Sequence, residues 1–475
     1  MRNNIKKNIA YNSIYQILIL VLPFITAPYL SRKIGAAGIG TYSFAQSMAM
    51  YFTFITMLGL SNYGNRCIAE VQDNLEERSK VFFEIYASQL IMFAISIIAY
   101  IIYVIFFAVD TVAAVIMGIW VLSAMLDINW FFFGMEEFKL TVTRNTIIKV
   151  LSVVAIFIFV KSDKDVYTYI AIMAISTFVS QCCLWPYMKK FVIFIKPTKK
   201  GILKHFRPNL KLFIPVVAAS IYNMMDKIML GYMTNMSEVG FYENAEKIIK
   251  MIQSLIVAVG TVMLPRMTAV FSHSNDDKGN KYIDLAMKAV MIYVSAAIFG
   301  ILATGNLFSE IYFGSGFNRT GELLMLLVTT VFFFGIGNVL RTQLLIPRKM
   351  DSVFVISSLI GAGLNIIVNA VMIPIWGAVG ASIATIFAEV SVCIYQFFMA
   401  RKYIRFSKYI PTLVITSLIG LVMYIVIKQL PVIENNILYF IEQVAVGGIV
   451  YVLLTAIFFI SINKIKKKGI KNRND

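Results

Sequence analysis

The sequence is poor in charge, in histidine and in cysteine. Charged residues make up 14% of its 475 residues, against about a quarter in a typical soluble domain. They stand in short stretches between long apolar runs, which is the arrangement of a polytopic membrane protein. The four cysteines, two of them adjacent at 182 and 183, have neither the spacing of a disulfide framework nor that of a zinc site. We interpret them as small apolar residues.

The sequence also lacks the motifs of energy-consuming or catalytic proteins. It has no Walker A motif, and no segment between the apolar runs is long enough to form a nucleotide-hydrolysing domain. The two histidines, His205 and His273, lie far apart in predicted cytoplasmic loops, and we interpret both as solvated. No paired catalytic acid and base is evident. The sequence therefore predicts a protein that is not an enzyme and that has no cofactor and no metal.

What the sequence does contain is hydrophobic segments. Hydrophobic residues make up 59% of the chain and the mean hydropathy is +0.77. A helix needs about 20 apolar residues to cross a hydrocarbon core about 30 Å thick. The chain therefore predicts an all-α membrane protein with about fourteen transmembrane helices. They are placed at 9–31, 40–63, 83–107, 111–133, 145–161, 167–187, 211–234, 240–264, 284–305, 321–345, 352–374, 377–400, 409–429 and 437–462.

The distribution of basic residues supports this count. With the N-terminus inside, 34 of the 43 lysines and arginines fall in inner segments and six in outer loops. Cytoplasmic loops carry such an excess, and one miscounted helix would scramble it. We therefore expect both termini to be cytoplasmic and the first apolar run to be a membrane helix rather than a cleaved signal peptide. The net charge of +18 then reflects topology and anionic lipid, not nucleic acid.

Part of the sequence repeats at an offset of 200 residues. Segment 39–45 reads IGTYSFA and segment 239–245 reads VGFYENA, and Gly, Tyr and Ala match in one register. Arg66 and Arg266 match in the same register at the far end of the helices. A parallel six-helix repeat predicts a pseudo-two-fold axis along the membrane normal and a substrate site between two lobes. The predicted divisions are an N-lobe at 1–187, a cytoplasmic linker at 188–210, a C-lobe at 211–400, and two further helices with a basic tail at 401–475.

Several ionisable residues lie at membrane depth, where each costs about 2.5–3.5 kcal/mol on the insertion scale. In predicted helix 8, Glu243, Glu246, Lys247 and Lys250 share one face through spacings of three and four. Glu243 could pair with Lys247, and Glu246 with Lys250. This face either lines a hydrated cavity or forms structural ion pairs.

Other polar residues extend the candidate site to the neighbouring helices. The substrate-binding candidates are Lys247, Lys250, Glu243, Glu246, Asn223, Asp226, Lys227, Asp127, Trp130, Arg66 and Arg266. Lysines can offset phosphate charge as point cations, and Trp130 could stack on a sugar. For Arg66 and Arg266 the alternative is an anchor at the membrane edge.

The order of several segments resembles that of a known family. These segments are PYLSRKIGAAGIGTYSFAQS at 28–47, DINWFFFGMEEFK at 127–139, the stretch 223–248, QLLIPRKM at 343–350 and NAVMIPIWGAVGASIATIFAE at 369–389. The sequence is similar to the oligosaccharide (O-antigen and capsular, Wzx-type) flippases of the multidrug/oligosaccharidyl-lipid/polysaccharide exporter superfamily. The resemblance implies the MATE-like fold of that superfamily, with two six-helix lobes and a central cationic cavity. It also implies an undecaprenyl-diphosphate-linked repeat unit as substrate.

The function expected from this resemblance is movement of that glycan by alternating access from the cytoplasmic to the outer leaflet of a bacterial cytoplasmic membrane. An ion gradient, the membrane potential or removal of product would drive it. A polysaccharide polymerase or its chain-length machinery is a candidate partner. Three alternatives stay open: a MATE-like drug/cation antiporter, a lipid II-type flippase, and a membrane-bound glycan ligase or polymerase.

Overall fold

A computed structural model describes the backbone of residues 2–273 and 276–474. It describes the side chains of residues 22–213, 217, 220, 221, 224–273 and 276–460. The regular structure of these residues is entirely helical, as the sequence predicts. The chain forms two compact units, Met1–Glu243 and Asn244–Asp475. The division falls within one helix, and the predicted lobe boundaries, which rest on the internal repeat, stay a prediction.

The helices are numbered in chain order. Those that begin in the first unit are Arg2–Met57 (α1), Leu60–Glu70 (α2), Leu75–Phe106 (α3), Thr111–Ser123 (α4), Asn129–Gly134 (α5), Phe138–Phe159 (α6), Val166–Cys182 (α7), Trp185–Met188 (α8), Lys199–Met233 (α9) and Met236–Ser272 (α10). Those of the second unit are Asp276–Phe313 (α11), Asn318–Leu327 (α12), Thr330–Leu340 (α13), Asp351–Trp376 (α14), Ala378–Ala400 (α15), Ile410–Lys428 (α16) and Asn436–Asn474 (α17).

The protein is a multi-pass membrane protein. Among the described residues, eleven helical segments are long and apolar enough to span a membrane, or twelve if the bent pair Asn318–Leu327 and Thr330–Leu345 is one span. One of the eleven, Leu22–Glu70, has 49 residues and contains predicted helix 2 and the last part of predicted helix 1. The predicted total of fourteen therefore stays a prediction.

Helix α3 shows how these segments are adapted to lipid. Its exposed residues include Ile91, Ile95, Ile98, Ile102 and Ile105, spaced by three, four and seven positions so that they share a helix face. Its buried residues include small and amide side chains such as those at 88, 89 and 96. A helix with an apolar outside and a more polar inside is stable in hydrocarbon, not in water.

Two glycines with positive φ separate long helices. At Gly35 φ is +66°, and the chain turns there between the two halves of α1. Gly377 has φ +56° and separates α14 from α15, which pack against each other as an antiparallel hairpin. Both positions suit glycine because an added Cβ would strain this backbone conformation.

Several predicted boundaries are wrong by two or three turns because an apolar run marks only the part of a helix that lies in hydrocarbon. Predicted helix 9, at 284–305, is the central part of α11, which has 38 residues. Predicted helix 4 is broken after Ser123 and resumes at Asn129. Predicted helix 7, at 211–234, begins three turns too late, because α9 starts at Lys199.

The interpretation of His205 as a solvated loop residue is also wrong. His205 is 3% exposed, and its Nδ1 lies 2.7 Å from the hydroxyl of Tyr63. Its Nε2 lies 3.5 Å from a carboxylate oxygen of Glu84. Burial lowers the pKa of His205 below its ordinary value, against the opposing effect of Glu84. His273, by contrast, is exposed as expected.

Candidate functional site

The first turns of α10 cross the second half of α1 at a very close backbone contact. A Cβ built on Gly40 would lie 1.7 Å from the carbonyl oxygen of Met236, and one built on Gly240 would lie 1.9 Å from that of Ala36. Positions 36 and 236, like 40 and 240, differ by 200, so the contact is reciprocal. A two-fold relation produces such reciprocity, and it supports the internal repeat. We call these four residues the glycine crossing.

A buried ion pair lies one turn further along the same two helices. The hydroxyl of Ser43 donates to Glu243 Oε2 at 2.8 Å, and Lys227 Nζ lies 2.9 Å from the same oxygen. Positions 43 and 243 again differ by the repeat offset. Glu243 is 7% exposed, and the charge of Lys227 compensates its burial. This Ser43–Glu243–Lys227 group joins α1, α9 and α10.

Asp226 belongs to the same region but has a different partner. The hydroxyl of Tyr242 donates to Asp226 Oδ2 at 2.7 Å, and both residues are buried. Tyr42, which the repeat pairs with Tyr242, packs instead against Tyr169 with ring centroids 4.6 Å apart. Two tyrosines that are equivalent in sequence therefore have different neighbours, one a carboxylate and one an aromatic ring.

Further along α10, the second unit holds the candidates Glu246, Lys247 and Lys250. Lys250 Nζ lies 2.8 Å from Glu246 Oε1, which is the predicted pairing. The Lys250 side chain is 46% exposed and that of Glu246 only 15%. Lys247 is partly exposed. Of these charged residues on α9 and α10, Lys247 and Lys250 are accessible, whereas Glu243 and Lys227 are enclosed.

Asp127 lies in a separate polar network near the ends of α4 and α7. Its Oδ1 accepts from the backbone N–H of Asn129 at 3.0 Å and from the Asn129 amide at 2.7 Å. Arg144 donates to Asn129 Oδ1 at 2.8 Å and to Gln181 Oε1 at 3.3 Å. These contacts join α6 and α7 to the break after α4, so the network has a structural role in this conformation.

Trp130 is 1% exposed, and its ring is enclosed by protein. Its Nε1 donates to Gln89 Oε1 at 3.1 Å. Its ring stacks on Phe82 with centroids 5.6 Å apart, and a Cβ on Gly64 would come within 2.6 Å of it. It belongs to a hydrophobic core cluster of the first unit. No face of the ring is open to a sugar in this conformation, and we do not retain the stacking role.

The remaining candidates are Arg66, Arg266 and Asn223. Arg66 and Arg266 are both exposed, and each guanidinium lies over a tyrosine ring, that of Tyr63 at 5.9 Å and that of Tyr282 at 4.5 Å. These two tyrosines are not equivalent in the repeat, because position 263 is a methionine and position 82 is a phenylalanine. The side chain of Asn223 lies outside the described residues.

Comparison with known proteins gives the family. A family model described as "Polysaccharide biosynthesis protein" matches residues 5–271. The chain belongs to this family. Among its relatives is the "Putative O-antigen transporter" of Shigella dysenteriae, which is 23% identical over 396 residues. The match covers 82% of this chain and 98% of the relative.

Solved structures give the fold of this polysaccharide biosynthesis protein. The lipid II flippase MurJ in an inward closed conformation superposes with a TM-score of 0.75 over 96% of this chain and 99% of that one, at 16% identity. An outward-facing multidrug resistance MATE family transporter of the MOP superfamily gives 0.50 over 83% and 92%, at 13% identity. The expected MATE-like fold is confirmed.

Proposed function

We propose that this protein is a flippase for undecaprenyl-diphosphate-linked oligosaccharide repeat units. It would carry them from the cytoplasmic to the outer leaflet of a bacterial cytoplasmic membrane, with both its termini cytoplasmic. The observation that supports this most directly is the family match together with an O-antigen transporter as a relative along nearly its whole length. The likeness to MurJ supports the same type of fold, and it does not by itself choose the glycan.

The position of Lys250 supports a hydrated path beside α10. Lys250 lies near the middle of a 37-residue membrane-spanning helix, and its side chain is 46% exposed. A lysine facing hydrocarbon at that depth would cost about 2.5–3.5 kcal/mol. A lysine that faces water and an anionic ligand avoids that cost. We therefore assign the diphosphate to Lys247 and Lys250, which the lipid-linked substrate would reach with its prenyl tail still in the membrane.

The enclosed residues have a different role in this proposal. Ser43, Glu243 and Lys227 hold α1, α9 and α10 together and would position the accessible lysines instead of binding the glycan. Alternating access requires helix contacts that close and part repeatedly. The glycine crossing is suited to this, because small residues allow backbones to meet without interlocking side chains. The cycle would consume no ATP and break no covalent bond.

The test is deletion of the gene in its native host, followed by analysis of the lipid-linked glycan that accumulates and of glycan at the surface. The variant Lys247→Ala with Lys250→Ala should be present in the membrane at the wild-type level and should not restore surface glycan. Lys281→Ala with Lys402→Ala is the matched control, since it removes two exposed charges outside α10.

Three outcomes would contradict parts of the proposal. Full surface glycan in the Lys247/Lys250 variant would remove the diphosphate site. Accumulation of incomplete glycans on the carrier lipid would indicate a glycan-building enzyme instead. Normal glycan with altered drug resistance would support a drug/cation antiporter, and accumulation of lipid II would support a peptidoglycan flippase.

A further inference from the structure

The segment between α8 and the first turns of α9 exposes large apolar side chains although it lies outside the apolar spans. We call residues 189–211 the linker segment. Ile193 is 51% exposed, Phe194 78%, Leu203 67% and Leu210 55%. The first two lie in non-helical chain and the last two in α9. Exposed apolar residues on a spanning helix face lipid tails, but that explanation does not apply to these four.

The linker segment is also strongly basic. Eight lysines and arginines and no acidic residue occur between 189 and 211. All eight are exposed: Lys189, Lys190, Lys196, Lys199, Lys200, Lys204, Arg207 and Lys211. Apolar and basic side chains together on one exposed segment are typical of chain that lies in the head-group region of an anionic bilayer.

The opposite side of the linker segment packs against α2, α3 and the turn before α2. His205 is held between Tyr63 and Glu84. The side chain of Asn209 accepts a hydrogen bond of 2.8 Å from the backbone N–H of Gly59. At Gly201 an added Cβ would lie 1.9 Å from a carboxylate oxygen of Glu84. Residues 201, 205 and 209 are spaced by four, so they form one buried face of α9.

The non-helical half of the linker segment is hydrogen-bonded to the first turns of α3. The hydroxyl of Ser79 accepts from the backbone N–H of Ile193 at 3.0 Å. Arg78 donates to the carbonyl of Phe191 through Nε at 2.9 Å and through its terminal nitrogen at 2.6 Å. Both halves are thus anchored to the start of α3. The exposed apolar and basic residues are consequently presented by a fixed surface and not by a free loop.

We propose that the linker segment is a binding surface for anionic phospholipid, with Phe194 and Leu203 inserted at the boundary between head groups and acyl chains and the lysines on the lipid phosphates. The choice of occupant rests on charge complementarity, because a segment with eight positive charges and no negative one selects an anionic partner. The apolar side chains select a membrane over an acidic protein surface. The proposal is independent of the transport function, since it needs no glycan.

The same helix connects this surface to the candidate site. Helix α9 begins at Lys199 and carries Lys227, which pairs with Glu243. The 28 residues between them correspond to about 42 Å at the rise of an α-helix. Anionic lipid bound at one end would therefore hold the helix that positions α10 at the other.

The test uses the full chain in nanodiscs that contain an equal fraction of either phosphatidylglycerol or phosphatidylcholine with a photoreactive acyl chain. After irradiation, mass spectrometry measures lipid adducts on the peptides of the linker segment. Adducts on α14, which spans the membrane, serve as the internal reference. Because each basic residue contributes to anionic binding, we expect about tenfold more adducts with phosphatidylglycerol.

Two triple variants test whether the lysines of the linker segment cause the preference for phosphatidylglycerol. Lys196→Gln with Lys199→Gln and Lys200→Gln should abolish the preference while leaving adducts on α14 unchanged. Lys466→Gln with Lys467→Gln and Lys468→Gln removes the same charge from the C-terminal tail and should retain it. Equal adducts from the two lipids in the wild type, an unchanged preference in the first variant, or no adducts with either lipid would each overturn the proposal.

Discussion

Replacement of Gly240 by alanine should destabilise the protein by weakening the contact between α1 and α10, whereas the same change at a helix position with open space around the new Cβ should not. The new Cβ would lie 1.9 Å from the carbonyl oxygen of Ala36, whereas real Cβ atoms essentially never come closer than 3.0 Å to such atoms. The obstacle is backbone, so no rotamer change relieves it. The helices must move apart by about 1 Å, and overpacking of this kind costs about 1–3 kcal/mol.

The expected size of the effect is measurable. A loss of 1 kcal/mol lowers the Tm of a unit of about 240 residues by about 2–4 °C. Gly240→Ala should therefore unfold about 2–12 °C below the wild type. Gly40→Ala, whose Cβ would meet the carbonyl of Met236 at 1.7 Å, should behave alike. The assay is thermal unfolding of the purified full chain in one detergent, followed by size-exclusion chromatography.

The controls are Gly363→Ala and Gly448→Ala. Both glycines are helical, and an added Cβ at either would meet nothing within 4 Å. Alanine at such a position stabilises a helix by about 0.5–1 kcal/mol relative to glycine. Their Tm should equal or slightly exceed that of the wild type. If the Tm of Gly40→Ala and of Gly240→Ala equals that of these controls, the close crossing of α1 and α10 is wrong.

Three further predictions concern other parts of the chain. Lys227→Ala should destabilise the protein by about 3–5 kcal/mol because it leaves Glu243 buried without its cation. The double variant with Glu243→Ala should recover part of this loss. If the losses of the two single variants add in a double-mutant cycle measured by thermal unfolding, the two residues are not coupled. Because its pKa is lowered by burial, His205 binds more protons in the unfolded chain, so Tm should fall as pH falls below about 6.5. His205→Phe should flatten this slope and His273→Asn should not. A cysteine at Ile195 should react with a membrane-impermeant reagent only from the cytoplasmic side, and labelling of intact cells from outside would overturn the topology.

Apolar runs, rather than propensities or motifs, made the fold predictable. Spanning segments must be apolar and helical because no water satisfies backbone groups in hydrocarbon. The runs therefore identified most helices, including α3, α14 and α15. Helix ends could not be predicted in the same way, since α11 continues past both ends of its apolar run into chain where hydrocarbon imposes no constraint.

The candidate site was only partly predictable. Spacing along α10 predicted the Glu246–Lys250 pair because residues four apart are neighbours on a helix surface. It did not indicate that Lys227 and Ser43 contact Glu243, since those residues are on other helices. The repeat offset carried a usable signal: it matches position 43 with 243 and position 40 with 240, and these residues do lie together.

The sequence did not indicate which polar and aromatic side chains are buried. Trp130 and His205 lie beside charged or polar residues in sequence and were assigned to a sugar site and a solvated loop. The structure encloses the first between Phe82 and Gly64 and the second between Tyr63 and Glu84. In each case the enclosing residues are more than 40 positions away.

The sequence by itself determined that this protein spans a membrane, is helical and repeats at an offset of 200, because hydrophobicity and spacing are local properties that the solvent enforces. Only the tertiary structure decided which charges are enclosed and which are accessible. That Lys227 is buried against Glu243 while Lys250 is accessible depends on where neighbouring helices lie, and the packing of distant segments is set by the whole chain at once.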